Sequence, residues 1–193
     1  MSTYLSTQSA EQLLQDMMRQ YCKHWSSSVY PDMDKLREVL TLLSDQQKLH
    51  ILQQKHSVWR TPLEYAAWRD HTKIISTLLT SLQSSADRLK LLMVDEDTPL
   101  LVTARLGHTE SVKMILDCLT ADQQIQIMSV QWGGKTAIQY AETSRHTDIA
   151  RVLRDRAENL MTEEYSKLMI IIPLLLIILP GVMGTLTKLT LLC

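Results

Sequence analysis

Thr98-Pro99-Leu100-Leu101-Val102-Thr103-Ala104-Arg105-Leu106-Gly107-His108, followed by Ser111-Val112 and Ile115-Leu116, is the stretch on which the fold turns. Thr98 has the chemistry of a helix N-cap, its hydroxyl serving the free amides of a first turn. Pro99 then falls at the first helical position, where a missing N–H costs nothing. Gly107 stands where this helix must stop and the chain reverse, a place for a left-handed cap. Beyond His108 the apolar residues fall at i, i+1, i+4 and i+5, which puts one buried stripe on a second helix.

The pattern recurs. Thr61-Pro62-Leu63 precedes Thr98-Pro99-Leu100 by 37 residues, and Thr136-Ala137-Ile138 follows it by 38. In this register Ala66-Ala67 meets Thr103-Ala104 and Ala141-Glu142. His71, His108 and His146 align, and so do Leu78-Leu79, Ile115-Leu116 and Leu153-Arg154. The small residues leave room for the helix of the next copy to approach. Between copies lie further helical turns rich in Leu, Ile and Met, over 45–52, 86–93 and 122–128, so the added length falls in the connections. Repetition at this period predicts an elongated stack in which each copy buries its neighbour's apolar face.

The motif resembles the ankyrin repeat, with its T-P-L-H-x-A-A-x-x-G-H start and its x-x-I-V-x-x-L-L second helix. The core 98–116 is the most typical. Core 61–79 has Asp70 in the Gly place, and core 136–154 has Arg145 there. The family's His after T-P-L is replaced by Glu64, Leu101 and Gln139, which removes a hydrogen bond of the family from each first helix. The resemblance implies an all-α ankyrin-type solenoid over 55–159. Residues 1–54 form a helical N-terminal cap or diverged repeat, with one helix over 9–25 and another around Met33 to Leu43. A stack needs such a cap, because its end would otherwise expose core.

The chain changes character near its end. From Leu168 to Leu186 there are 19 residues without a charge. As a helix at ~1.5 Å per residue they would extend roughly 28 Å, close to the ~30 Å hydrocarbon core of a bilayer. No polar face is present, and Pro173, Pro180, Gly181 and Gly184 are tolerated in spans. The expectation is a linker over 160–167, a transmembrane helix over 168–186 and a short tail over 187–193, in the manner of a tail-anchored, single-pass protein with its repeats facing the cytosol. The alternative is the cytosolic sensor region of a channel- or transporter-like protein cut after its first span.

Chemistry is sparse. Twenty Lys and Arg stand against 21 Asp and Glu, so no basic field points to nucleic acid. Cys22, Cys118 and Cys193 are far apart, with neither a zinc spacing nor a disulfide framework. The aligned histidines are repeat positions about 10 Å apart, too distant to share a metal bound at about 2 Å. Gly133-Gly134-Lys135-Thr136 lacks the upstream Gly of a phosphate loop. Asp95-Glu96-Asp97 reads as a solvated turn facing a partner. The expectation is therefore no enzyme, no cofactor, no metal and no small-molecule substrate.

What remains is recognition of a protein. The resemblance implies contact through the turn tips and the exposed side of the first helices, on the concave face. By position these are Trp59, Arg60, Asp95, Glu96, Trp132 and Lys135 at the tips, and Trp68, Arg69, Arg105 and Thr143 on the helices. Trp and Arg are the side chains that dominate binding energy at interfaces.

Overall fold

The computed structural model describes residues 6–23, 30–56 and 60–178, with only the helix path given for 163–178. The chain divides into two compact units, residues 1–154 and 155–193. Among the described residues the fold is all helical. The one extended feature is an isolated antiparallel bridge between Trp132 and Lys135.

The first unit repeats a set of three helices. The first helices are α1 (Thr7–Lys23), α4 (Pro62–Trp68), α7 (Pro99–Leu106) and α10 (Ala137–Thr143). The second helices are α2 (Met33–Thr41), α5 (Thr72–Thr80), α8 (Thr109–Asp117) and the start of α11 (Thr147–Ile178). The connections carry α3 (Asp45–Leu52), α6 (Ser85–Leu92) and α9 (Ala121–Ser129). Like packs on like: α4 lies against both α1 and α7, α7 against α10, α5 against α8, and α3 against α6. The N-terminal segment thus contributes a first helix to the stack and covers α4, with Leu14, Met18 and Tyr21 buried.

The sequence signals map onto specific geometry. Thr61, Thr98 and Thr136 are N-caps whose hydroxyls accept from the N–H three residues on. Glu64 and Gln139 replace the expected His and close capping boxes by accepting the Thr61 and Thr136 N–H groups, both at 2.9 Å. The lost hydrogen bond is thereby replaced in those two repeats. Leu101 cannot reciprocate and is buried instead. Asp70, Gly107 and Arg145, the three residues aligned at the chain reversal, all have positive φ, at 57°, 89° and 63°.

The histidines join neighbouring copies. His108 Nδ1 lies 2.9 Å from the Ala67 carbonyl, and His146 Nε2 lies 3.1 Å from that of Arg105. Both carbonyls belong to the last turn of the preceding first helix, where orphan acceptors need partners. His71 also reaches the last turn of the preceding first helix, α1, but there it meets a side chain, the Tyr21 hydroxyl, at 2.8 Å. Burial, with the nearby Arg69 charge, holds the His71 pKa below its ordinary value against the opposing pull of Asp70.

The connecting helices supply a second set of joints. Buried Lys48 on α3 donates to the Ser81 carbonyl at 2.7 Å and pairs with Asp45. Arg88 on α6 donates to the Cys118 carbonyl at 2.7 Å. Each base thus caps the end of the next copy's second helix.

α11 runs unbroken from Thr147 to Ile178, so residues 160–167, expected to be a linker, are helical. Glu, Lys, Leu and Met are good helix formers, and no Gly or Pro interrupts before Pro173. Among the described residues no helix is long and apolar enough to cross a membrane. The segment expected to do so follows α11 as far as Ile178, and residues 179–193 lie outside the described residues.

Candidate functional site

The tips of the three repeats meet around one cleft of about 550 Å³. Arg60 enters from repeat 1, residues 94–97 form one wall from repeat 2, and Trp132 contributes from repeat 3, with Glu64 also lining the space. Four of the tip residues read from sequence, Arg60, Asp95, Glu96 and Trp132, are brought together here. Trp59 lies outside the described residues.

Trp132 is set by its neighbours. The turn 132–135 is closed by two backbone hydrogen bonds between Trp132 and Lys135 at 3.0 and 3.1 Å. Gly133 and Gly134 provide the positive φ values this tight reversal needs. The Tyr140 hydroxyl, from α10, donates to the Trp132 carbonyl at 2.9 Å, and the two rings stand 5.9 Å apart. The Arg105 guanidinium sits 4.8 Å from the Trp132 ring centre and 5.6 Å from that of Tyr140. Arg105 also reaches both Asp97 oxygens, at 3.0 and 3.4 Å. A guanidinium is well suited to stacking and forked pairing at once. Arg105 is therefore engaged in positioning Trp132 against the repeat 2 tip. Lys135 stands over the outer part of this cluster, 5.8 Å from the Tyr140 ring centre.

Glu64 and Lys55 were not among the site residues read from sequence, and neither was Tyr140. Lys55 Nζ lies 2.7 Å from Asp95, tying the approach to repeat 1 to the repeat 2 tip. Glu64 is only 3% exposed. Burial pushes its carboxyl up to about 7; the Thr61 amide pulls it down, Asp95 pushes it further up both by its charge and by a side-chain hydrogen bond with the Glu64 carboxyl, and Lys55 pulls it down again. The sequence did carry a signal for Glu64: Thr followed three residues later by Glu is a capping-box pattern. Tyr140 aligns with Tyr65 and Val102, and no pattern distinguishes it.

The remaining residues read from sequence lie elsewhere. Trp68 and Arg69 border a smaller depression, of about 420 Å³, with Tyr30, His71, Leu106 and His108. Arg69 stacks over Trp68 at 5.6 Å, and Trp68 stands 6.0 Å from Tyr65. Thr143 is exposed, and its hydroxyl donates to the Gln139 and Tyr140 carbonyls. Trp68, Arg105 and Thr143 occupy one register position at the ends of successive first helices.

Cys22 is buried, which pushes its thiol up to about 12 and keeps it from thiolate chemistry at neutral pH. His108 and His146 each commit a ring nitrogen to a carbonyl. No three of His, Cys, Asp or Glu among the described residues stand together as a metal set. No protein-family model matches this chain, and no curated protein matches it.

Proposed function

We propose that this chain is a non-catalytic, ankyrin-type adaptor that binds a protein partner through its repeat tips and is held at a membrane by residues 168–186. The tip cleft carries the reading. A half-exposed tryptophan, braced from behind by an arginine and a tyrosine, faces acidic and basic side chains drawn from the two preceding repeats. Pre-organised aromatic anchors flanked by charge are what protein interfaces use for affinity and specificity. A near-balanced charge speaks for a protein partner over nucleic acid.

The ankyrin assignment is supported by the recurrent Thr cap, the left-handed reversal and the aligned His. Each repeats at a spacing of 37 or 38 residues; the cap and the reversal are the same in all three copies, and His108 and His146 each bond a carbonyl of the preceding first helix. The membrane part is supported by 19 uncharged residues, too apolar all round for a solvated helix.

Affinity capture from cell extract tests the binding face. The full chain is compared with the double variant Trp68→Ala, Trp132→Ala at matched melting temperature. The expected result is loss of the proteins retained by the wild type. The same proteins retained at the same yield would remove this face from consideration.

A further inference from the structure

Glu64 and Asp95 share a side-chain hydrogen bond, although both are carboxyl groups. Two carboxylates cannot do so, because neither has a donor; one proton must lie between them. The bond joins two copies. Glu64 stands on the first turn of α4 in repeat 1, and Asp95 lies on the repeat 2 tip, between α6 and α7. The positions aligned with Glu64 carry Leu101 and Gln139, so an ionisable group is particular to this joint.

The two partners are held unequally. Glu64 Oε2 accepts the Thr61 N–H at 2.9 Å, which ties the side chain to its own helix. Asp95 sits outside any helix and pairs with Lys55 at 2.7 Å. While the proton is present, Glu64, Asp95 and Lys55 together are neutral. Its loss leaves two adjacent carboxylates facing one ammonium, and Glu64 is only 3% exposed. Like charges so placed repel. Arg60, Glu96 and Asp97 stand further round the cleft, with Asp97 held by Arg105 from α7. α1, packed on α4, brings Arg19, whose charge falls on His56.

We propose that the Glu64–Asp95 contact is a proton-operated clasp between repeat 1 and the tip of repeat 2, closed while one proton is shared and released when that proton leaves to solvent. Glu64 is fixed by its helix, so release moves the tip. The same tip carries Asp97, which holds Arg105, and Arg105 braces Trp132. The clasp therefore sets the tip cleft. It does so through contacts within the chain, whether or not a partner binds there.

The test follows the full chain in detergent micelles by NMR against pH. The Glu64 carboxyl signal should titrate near 7. Overhauser contacts between the Glu64 and Asp95 side chains should be lost across that step, and the Trp132 indole signal, identified by its absence in Trp132→Ala, should shift with the same midpoint. Glu64→Gln keeps the clasp closed at every pH: its amide oxygen accepts the Thr61 N–H, as Gln139 does for Thr136, and its NH2 donates to Asp95. In that variant the contacts should persist and the Trp132 step should vanish. Asp95→Asn should lower the Glu64 midpoint by roughly 1–2 pH units, the worth of one hydrogen bond to a charged group. Side-chain contacts that survive ionisation of Glu64 would overturn the proposal, since a merely structural contact would do just that. So would a Glu64 midpoint at its ordinary 4.5, or a Trp132 step that persists in Glu64→Gln.

Discussion

Gly107 answers two demands at once. Its φ of 89° lies where a side chain costs about 1–2 kcal/mol. A Cβ there would also meet the His146 ring, 2.8 Å from Cε1 and 2.9 Å from Nδ1. Arg145 holds a similar backbone conformation with an exposed side chain. Gly107→Ala should therefore lower stability by about 2 kcal/mol or more, because backbone and ring penalties add. Arg145→Gly should raise it by less than about 1 kcal/mol, since glycine's extra chain entropy offsets part of the relief. Shifts in urea midpoint at constant slope measure both. Effects of equal size would mean that the His146 ring yields freely. Glu64 gives a pH signature. Its folded pKa of about 7 lies above its ordinary 4.5, so the folded chain retains a proton that the unfolded chain has released. Its contribution is fully present below 4.5 and is lost as pH rises through 7. Glu64→Gln, with its cap intact, should thus gain on wild type across that window by an amount on the order of 1–3 kcal/mol and then level off. A difference in Tm that stays constant from pH 4 to 8 would show that Glu64 ionises freely in the folded chain.

At the scale of elements, the joints between copies decide stability, and Asp45 tests one of them. From the start of α3 it accepts the Gln83 N–H at 2.8 Å and the Ser84 N–H at 3.4 Å, and it pairs with Lys48. Burial raises its pKa, but the bonds from Lys48, Gln83 and Ser84 outweigh this and hold it below the usual carboxylate value. That stability is present above the ordinary value and is lost as pH falls through the lowered one. Asp45→Ala should cost about 1–3 kcal/mol, because Lys48 is left buried with its carboxylate gone. A loss within a few tenths of a kcal/mol would mean that the Ser81 carbonyl alone satisfies Lys48. Much of this layer was legible in advance. The caps at Thr61, Thr98 and Thr136 could be read because capping is chemistry within one turn. The helical turns between copies could be read from their Leu, Ile and Met content. The partners of His108, His146 and Lys48 could not, because those bonds cross 33 to 41 residues of chain and depend on how two copies stack. The helix through 160–167 was missed for a different reason. A polar stretch beside an apolar one reads as a boundary, whereas local helix propensity continues across it.

At the scale of the whole molecule, the repeat explains both what could be foreseen of the site and what could not. Arg60, Asp97 and Lys135 share one register position, so a regular stack brings successive tips side by side and makes a cleft between them foreseeable. That Arg105 braces Trp132 was not foreseeable, because it requires the fork of Arg105, Asp97 and two rings from the next repeat. A linear stack also confines damage: a substitution at one joint weakens coupling between two neighbours, and the others keep theirs. The apolar end is independent of that stack in sequence, which makes its role separable. If residues 168–186 span a bilayer, the full chain should remain in the membrane pellet after alkaline extraction. A chain ending at Lys167, retaining α1 to α10 and the charged part of α11, should move to the supernatant with the helical content and melting temperature of its repeats preserved. The energetics are one-sided, because each Leu or Ile at the centre of a span contributes about 0.3–0.6 kcal/mol towards insertion and no charged residue opposes it. Release of the full chain by alkali would show that the segment does not span. Retention of the shortened chain would place the attachment within residues 1–167, and the tip cleft and its tryptophan would then be the first surface to test for it.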